Sequence, residues 1–272
     1  MKNLFTGLLP VLCCLSVLPL SAQDMMPKSA RGLKLGITEE ALIDHFLPYV
    51  PGAGSNARDL LEAQSLKPYM MPVRQVGIRG ESIAYGASIL LEFYVNLGKN
   101  FKVNLSPDYI GLNLAGAGKP VSFEETLNFL AREGTVNAAI VTYDAREIPG
   151  AVMATQKYKI VNYLHIFSDL TKERQRVFET KKALQRGNPV LFEIKADERI
   201  RSFTGARYWD PDGQANASYP LIVVGFNEND QAFEVLSCWG NQWGMGGYIW
   251  IKYDDFGKYA RNGFVLLPED QY

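Results

Sequence analysis

The sequence predicts an α+β protein with a helical part first and a β-rich part last. Two observations carry that reading. Apolar residues recur at helical spacing in segments 82–94, 121–133 and 170–186. From Val190 onward, β-branched and aromatic runs are separated by turn residues. Elements that segregate along the chain in this way form an α+β fold rather than an alternating parallel one. The 272 residues, 47% of them hydrophobic and 21% charged, are enough for one large domain or two lobes around a shared interface.

In chain order, residues 1–23 read as a signal peptide: Lys2, an apolar run from Leu4 to Leu20, then the small residues Ser21-Ala22-Gln23. The run is marginal for a membrane span, and the chain turns polar directly after it. The expectation is an exported protein (periplasmic, cell-surface or secreted) with no membrane span in the mature chain. An uncleaved anchor is the alternative. A lipoprotein reading of Cys13 and Cys14 is weakened by Leu12 and the short apolar stretch before them. Residues 24–70 form an N-terminal extension. Thr38-Glu39-Glu40 opens a helix with Leu42, Ile43 and Phe46 on one side, ended near Pro48 and Pro51-Gly52, and 56–66 suits a second short helix. The extension is expected to pack on the main domain; a removable, cleft-blocking pro-segment is the alternative.

The main domain spans 71–272. After a loop marked by Gly77 and Gly80, residues 82–94 form a helix. Its apolar positions Ile83, Ala84, Ala87, Leu90, Leu91 and Tyr94 fill more than one face, which predicts burial. Ser122 and Glu125 give the helix over 121–133 a capping box. The helix over 170–186 is closed by Gly187 and Pro189. Strands are predicted at Val190–Ile194, Leu221–Phe226, Ala232–Leu236, Tyr248–Lys252 and Phe264–Leu267, with a hairpin turn at Asn227–Asp230. Tyr158–Phe167 is extended and aromatic, and its His165 reads as a packed side chain.

A net charge of −1 gives no electrostatic case for nucleic acid or an anionic membrane. Cys238 is the one cysteine outside the signal segment, so no internal disulfide forms. His45 and His165 are distant in sequence and complete no metal set with it; no metal and no cofactor are expected. Asp210-Pro211-Asp212-Gly213 lacks the spacing of a calcium loop and reads as a turn. Asn104-Leu105-Ser106 and Asn216-Ala217-Ser218 fit the glycosylation pattern, a short and common one. Nothing in the sequence calls for an oligomer, and a monomer is expected.

The motifs are more specific. Val223-Val224-Gly225-Phe226 is followed by Trp239-Gly240, Trp243-Gly244, Gly247-Tyr248 and Ile251. Upstream stand Pro72, Val73, Gly77, Gly80, Ala84 and Tyr85, and then Leu105-Ser106-Pro107-Asp108-Tyr109. From Pro72 to the C-terminus this pattern resembles the papain-like (C1 family) cysteine peptidases, in a bacterial form without disulfides. The resemblance implies a two-lobe fold with a cleft, the helical lobe at about 71–155 and the β-rich lobe at about 156–272. It also assigns positions. Ser82 stands where the family has its nucleophilic cysteine, Tyr219 its basic histidine and Ser237 the orienting asparagine. Val76 stands where the family has the glutamine that donates to the oxyanion. Gly80, Glu81 and Trp239 fall at the substrate cleft, as do Gly116 and Gly118, near the glycines whose backbone binds an extended peptide.

The substitutions bear on chemistry. A cysteine beside a histidine at a helix N-terminus loses its proton readily, whereas a serine needs a real base. A phenol of ordinary pKa, about 10, is not one near neutrality. Loss of one oxyanion donor costs roughly 100- to 1000-fold in rate. The expectation is therefore a pseudopeptidase that binds an extended peptide or protein segment without cleaving it. The first alternative is residual or altered peptidase or acyl-transfer activity through Ser82 or Cys238. The second is an interaction protein with a plugged cleft. Ser82 otherwise reads as a helix cap, Tyr219 as a hydrogen-bonding partner of Ser82 or Ser237, and Cys238 as a buried thiol under Trp239.

Overall fold

The computed structural model describes residues 29–55, 62–115, 121–211 and 213–269. A seven-stranded antiparallel sheet runs in the order β2 (Ile160–Phe167), β7 (Ala260–Pro268), β3 (Val190–Ala196), β4 (Ala217–Asn227), β5 (Ala232–Leu236) and β6 (Tyr248–Lys252), with β1 (Ala63–Ser65) added beside β4. The helices of the first half are α2 (Ser82–Asn96), α3 (Pro107–Leu114) and α4 (Phe123–Arg132). Helix α2 is buried from Ala84 to its end because it lies between two layers. It packs on α3 and α4 to one side and on β3, β4 and β7 to the other. A two-lobe α+β architecture follows, with α2 as the shared wall.

The predicted capping box is present: Ser122 accepts from the Glu125 N–H, and Glu125 reaches back to the Ser122 N–H. The hairpin turn forms as well, with the Asn227 side chain accepting from the N–H groups of Asn229 and Asp230. Strands β5 and β6 have the predicted bounds, while β4 and β7 extend further toward their N-termini.

The N-terminal extension packs on the main domain. Helix α1 (Glu40–Phe46) buries Ile43, and Ile37 pairs with Leu164 at the outer edge of β2. Arg186 donates to the Leu47 carbonyl, and Val50 N–H bonds to the Arg186 carbonyl. The expected second helix does not form over its described part. Residues 63–65 are a strand paired with Gly225–Asn227 of β4. The backbones meet at Gly225, where a Cβ would stand 2.7 Å from the Gln64 carbonyl oxygen. Tertiary pairing here overrides a weak local preference. The rest of that segment, 56–61, lies outside the described residues, as do the signal-peptide segment, Gly116, Gly118 and Asp212.

Other boundaries moved for local reasons. Helix α5 (Glu173–Gln185) begins three residues after Leu170, whose side chain is exposed, and Gly187 closes it with φ +87°. Helix α3 opens at Ser106, which caps the Tyr109 N–H ahead of Pro107. Helix α6 (Tyr253–Tyr259) fills the short link between β6 and β7 and buries Phe256 among Phe167, Phe192 and Phe233.

Candidate active site

Residues 72–76 run antiparallel to the loop after β5. Val76 N–H donates to the Cys238 carbonyl at 2.8 Å, Gln75 pairs with Trp239, and Gly240 N–H donates to the Arg74 carbonyl. Arg74 anchors this segment from beneath: it bonds Glu92 at 2.5 Å, the Leu105 carbonyl at 3.2 Å and Asn104 at 3.1 Å. A turn at Gly77–Gly80 follows, and α2 starts at Ser82. Gly80 has no room for a side chain, since a Cβ would stand 2.7 Å from both Val76 and Tyr85.

Ser82 is the first residue of α2, so it is not the helix cap. The residue before it, Glu81, holds the cap position without a side-chain hydrogen bond. The Ser82 carbonyl accepts a contact from the Cys238 thiol at 3.7 Å. Cys238 is 2% exposed, and burial pushes its thiol up to about 12, so it stays protonated. Ser237 is buried and turned into its own loop: its hydroxyl accepts from the Trp239 N–H at 3.2 Å.

Tyr219 comes to the same site from β4, with its ring edge-on to Trp239 at 5.7 Å between centroids. Among the described residues its hydroxyl bonds neither Ser82 nor Ser237, so the expected replacement hydrogen bond is absent. The phenol instead senses Glu198, Arg201 and Asp197. Burial, followed by the Glu198 charge, raises its pKa above the ordinary value. A phenol held neutral accepts no proton from a serine near pH 7.

Gln75, Val76, Tyr219 and Trp239 line a cavity of about 490 Å³ together with Glu198, Arg201 and Ser202. Tyr219 walls this space and does not fill it. The indole Nε1 of Trp239 is buried without a hydrogen-bond partner among the described residues. A second cavity, of about 400 Å³, opens at Ile83, Ser218 and Pro220 and is also lined by Glu193 and Asn262. The two linings share no residue, and together they bracket Ser82 and Tyr219. No described residue of 29–55 or 62–70 lines either one.

The structure brings Val76, Tyr219 and Trp239 to one cavity, with Ser82 and Ser237 bonded to the adjoining Cys238 and Trp239, and Gly80 and Glu81 line neither cavity. Sequence reasoning missed Gln75, whose carboxamide lies over Gly240 one position before Val76. The signal was present as a glutamine displaced by one residue. It also missed Glu198, Arg201 and Ser202, which a short 3-10 turn brings to Tyr219 and for which no motif letter exists.

The sequence profile of the papain family cysteine proteases matches residues 118–265, just over half of the chain. That span begins after Ser82. A peptidase C1-like protein of Acanthamoeba polyphaga mimivirus, itself uncharacterized, is 34% identical over 103 residues, covering 35% of this chain and 32% of that protein. The gamete and mating-type specific protein A of Dictyostelium discoideum is 22% identical over 204 residues, covering 72% of this chain and 44% of that one. The chain therefore aligns with less than half the length of either relative. Xylellain, a cysteine protease from Xylella fastidiosa, superimposes with a TM-score of 0.63 at 18% identity, over 89% of this chain and 98% of that one. The fold agrees with the profile, and the chain belongs to the papain family of cysteine proteases.

Proposed function

We propose that this chain is an exported, bacterial-type papain-family pseudopeptidase that holds an extended peptide or protein segment in its cleft without cleaving it. The observation that carries the reading is the absence, among the described residues, of a usable nucleophile–base pair at the head of α2. The residue at the histidine's position, Tyr219, is a phenol whose pKa burial raises, and not an imidazole. The adjacent thiol of Cys238 is buried, protonated and committed to the Ser82 carbonyl. His165 is engaged elsewhere, by Asn262 of β7. These features speak against both Ser82 and Cys238 as nucleophiles. The two open cavities beside Ser82 and Tyr219 favour binding over a plugged scaffold, and the packing of residues 29–55 and 62–70 leaves both unobstructed.

The test incubates the purified protein and its Ser82→Ala variant with a chymotryptic peptide pool, and reads new termini and retained peptides by mass spectrometry. Selective retention by both forms with no new termini is the expected result. Cleavage by the parent and not by the variant would overturn the reading and make Ser82 a nucleophile. Neither cleavage nor retention would leave the cleft without a peptide role.

A further inference from the structure

A cavity of about 580 Å³ lies at the C-terminal end of α2, roughly 20 Å along the helix from Ser82. Much of its wall comes from a part of the chain that lies ahead of the papain-like motifs. Tyr49, Pro51 and Tyr69 belong to the N-terminal extension, upstream of the pattern that begins at Pro72 and of the profile match over 118–265. Tyr94 and Leu97 at the end of α2 and Pro268 at the end of β7 complete the lining.

The tyrosines are fixed by the chain itself. Tyr49 donates its hydroxyl to the Gly54 carbonyl at 3.2 Å, Tyr69 to the Gly52 carbonyl at 2.8 Å and Tyr94 to Asn188 Oδ1 at 2.9 Å. Asn188 in turn donates from Nδ2 to the Pro48 carbonyl at 2.6 Å, which ties Tyr94 to the extension. Each phenol has one O–H, and each is committed. Tyr49 and Tyr69 are nevertheless 42% and 43% exposed, so ring surface remains open to a ligand.

Electrostatics then sort the ligands. Aromatic faces are electron-rich, and the C-terminal end of a helix carries partial negative charge. Helix α2 ends at Asn96, beside Leu97 of the lining, and Lys102 donates its ammonium to the Asn96 carbonyl at 2.6 Å, so this end already draws one cation. The described lining has no aspartate, glutamate, lysine or arginine. An anion would meet no positive side chain there, and the lining phenols donate elsewhere. A primary ammonium would give up its hydration with no carboxylate to receive its N–H donors. A quaternary ammonium has no N–H, lays methyl groups on the apolar walls and is attracted by the ring faces.

We infer that this cavity binds a quaternary ammonium group, as carried by free choline or by a phosphatidylcholine headgroup, with Tyr49 and Tyr69 as the rings that hold it. The site is separate from the peptide cleft and does not depend on what the cleft holds.

The test titrates the purified protein by calorimetry with choline and with the neutral dimethylbutanol in which a quaternary carbon replaces the nitrogen. The pair keeps the shape and isolates the charge. Choline is expected to bind about tenfold or more tightly than the neutral isostere. Tyr69→Phe keeps the ring and should keep that preference, while Tyr69→Leu should weaken choline binding about fivefold or more. Leu97→Trp, which fills the cavity with an indole, should abolish binding and replaces Tyr69→Leu if that variant fails to fold. Cosedimentation with phosphatidylcholine vesicles, set against phosphatidylglycerol vesicles, separates the sources. Selective sedimentation with phosphatidylcholine supports the inference and assigns the lipid headgroup; binding of free choline alone supports it and assigns a soluble ligand. Equal binding of choline and its isostere, choline binding unchanged in the folded variants, or no binding of choline or phosphatidylcholine overturns the inference and leaves the peptide reading untouched.

Discussion

The loop from Ser237 to Tyr248 and the segment from Val76 to Ser82 meet at one site, but they match the family pattern in different ways. The loop has Trp239-Gly240, Trp243-Gly244 and Gly247-Tyr248, and has Ser237 at the position of the orienting asparagine. The segment has its glycines, with Ser82 and Val76 where the motif has a cysteine and a glutamine. Geometry explains what the loop retains. Gly240, Gly244 and Gly247 all have positive φ, and a Cβ on Gly247 would strike Val73. Trp243 is fully buried and donates to the Ile200 carbonyl. These letters are demands of packing and stand whether or not chemistry occurs. Nucleophile, base and orienter make no comparable demand: a serine, a tyrosine and a serine fit the same backbone.

That contrast is testable, and its largest expected effect is chemical. Cys238 sits in the loop beside Ser237, with a thiol pushed up to about 12. At pH 8 its alkylation by iodoacetamide should be at least about a thousandfold slower than that of an ordinary cysteine of pKa near 8.5, from the thiolate fraction alone. Denaturant should abolish the difference. Rapid labelling of the native protein would mean that the loop hides no thiol and that Cys238 is a reactive group after all. Next in size is Gly244→Ala. At φ +53° its Cβ would land on the Tyr248 carbonyl and the Ile249 side chain. The expected cost is about 3 kcal/mol, a fall in Tm of roughly 6–12 °C by thermal unfolding.

Sequence legibility divided along the same line. The strand runs, the capping box at Ser122 and the Trp-Gly loop were readable because each local choice agreed with the tertiary arrangement. The strand at Ala63–Ser65 was not, since it exists only by pairing with β4 across Gly225. Nor was helix α6, a two-turn link whose buried Tyr253, Phe256 and Tyr259 pack among distant aromatics. At the site, motif spacing placed Val76, Ser82, Tyr219, Ser237 and Trp239 together. It could not show that Tyr219 shares a cavity with Glu198 and Arg201, because those segments are separated by a loop of no fixed pattern. It also hid the role of His165, which reads as core and in fact positions Asn262 against Glu193.

The segment side of the comparison predicts a pH effect of middle size. Arg74, two residues before Val76, reaches Glu92 on the buried face of α2. Burial raises Glu92 to about 7, against the lowering influence of Arg74 and the Leu105 N–H, and its Oε2 has no partner among the described residues. The folded state thus holds this proton more tightly than the unfolded chain does. Its contribution to stability is fully present below about pH 4.5 and is lost as pH rises toward 7, by roughly 3 kcal/mol. Glu92→Gln should flatten that limb, so the Tm difference between parent and variant should change between pH 5 and pH 7. A constant difference across this range would show that Arg74 neutralises Glu92 more effectively than its burial penalises it.

The smallest expected effect belongs to Ser82, which the motif spacing aligns with the family's nucleophile. The Ser82 hydroxyl makes no hydrogen bond among the described residues and does not cap α2. Ser82→Ala should therefore change stability by less than about 0.5 kcal/mol, leaving Tm within roughly 2 °C of the parent. The hydroxyl should also resist a fluorophosphonate probe, because no base bonds it among the described residues. Gly244→Ala and Ser82→Ala then form a matched pair, one letter held by backbone geometry and the other free to vary. If Ser82→Ala proves as damaging as Gly244→Ala, or if the probe labels Ser82, then the segment carries a constraint of its own. The head of α2 would then have to be read as a working site with an unrecognised base.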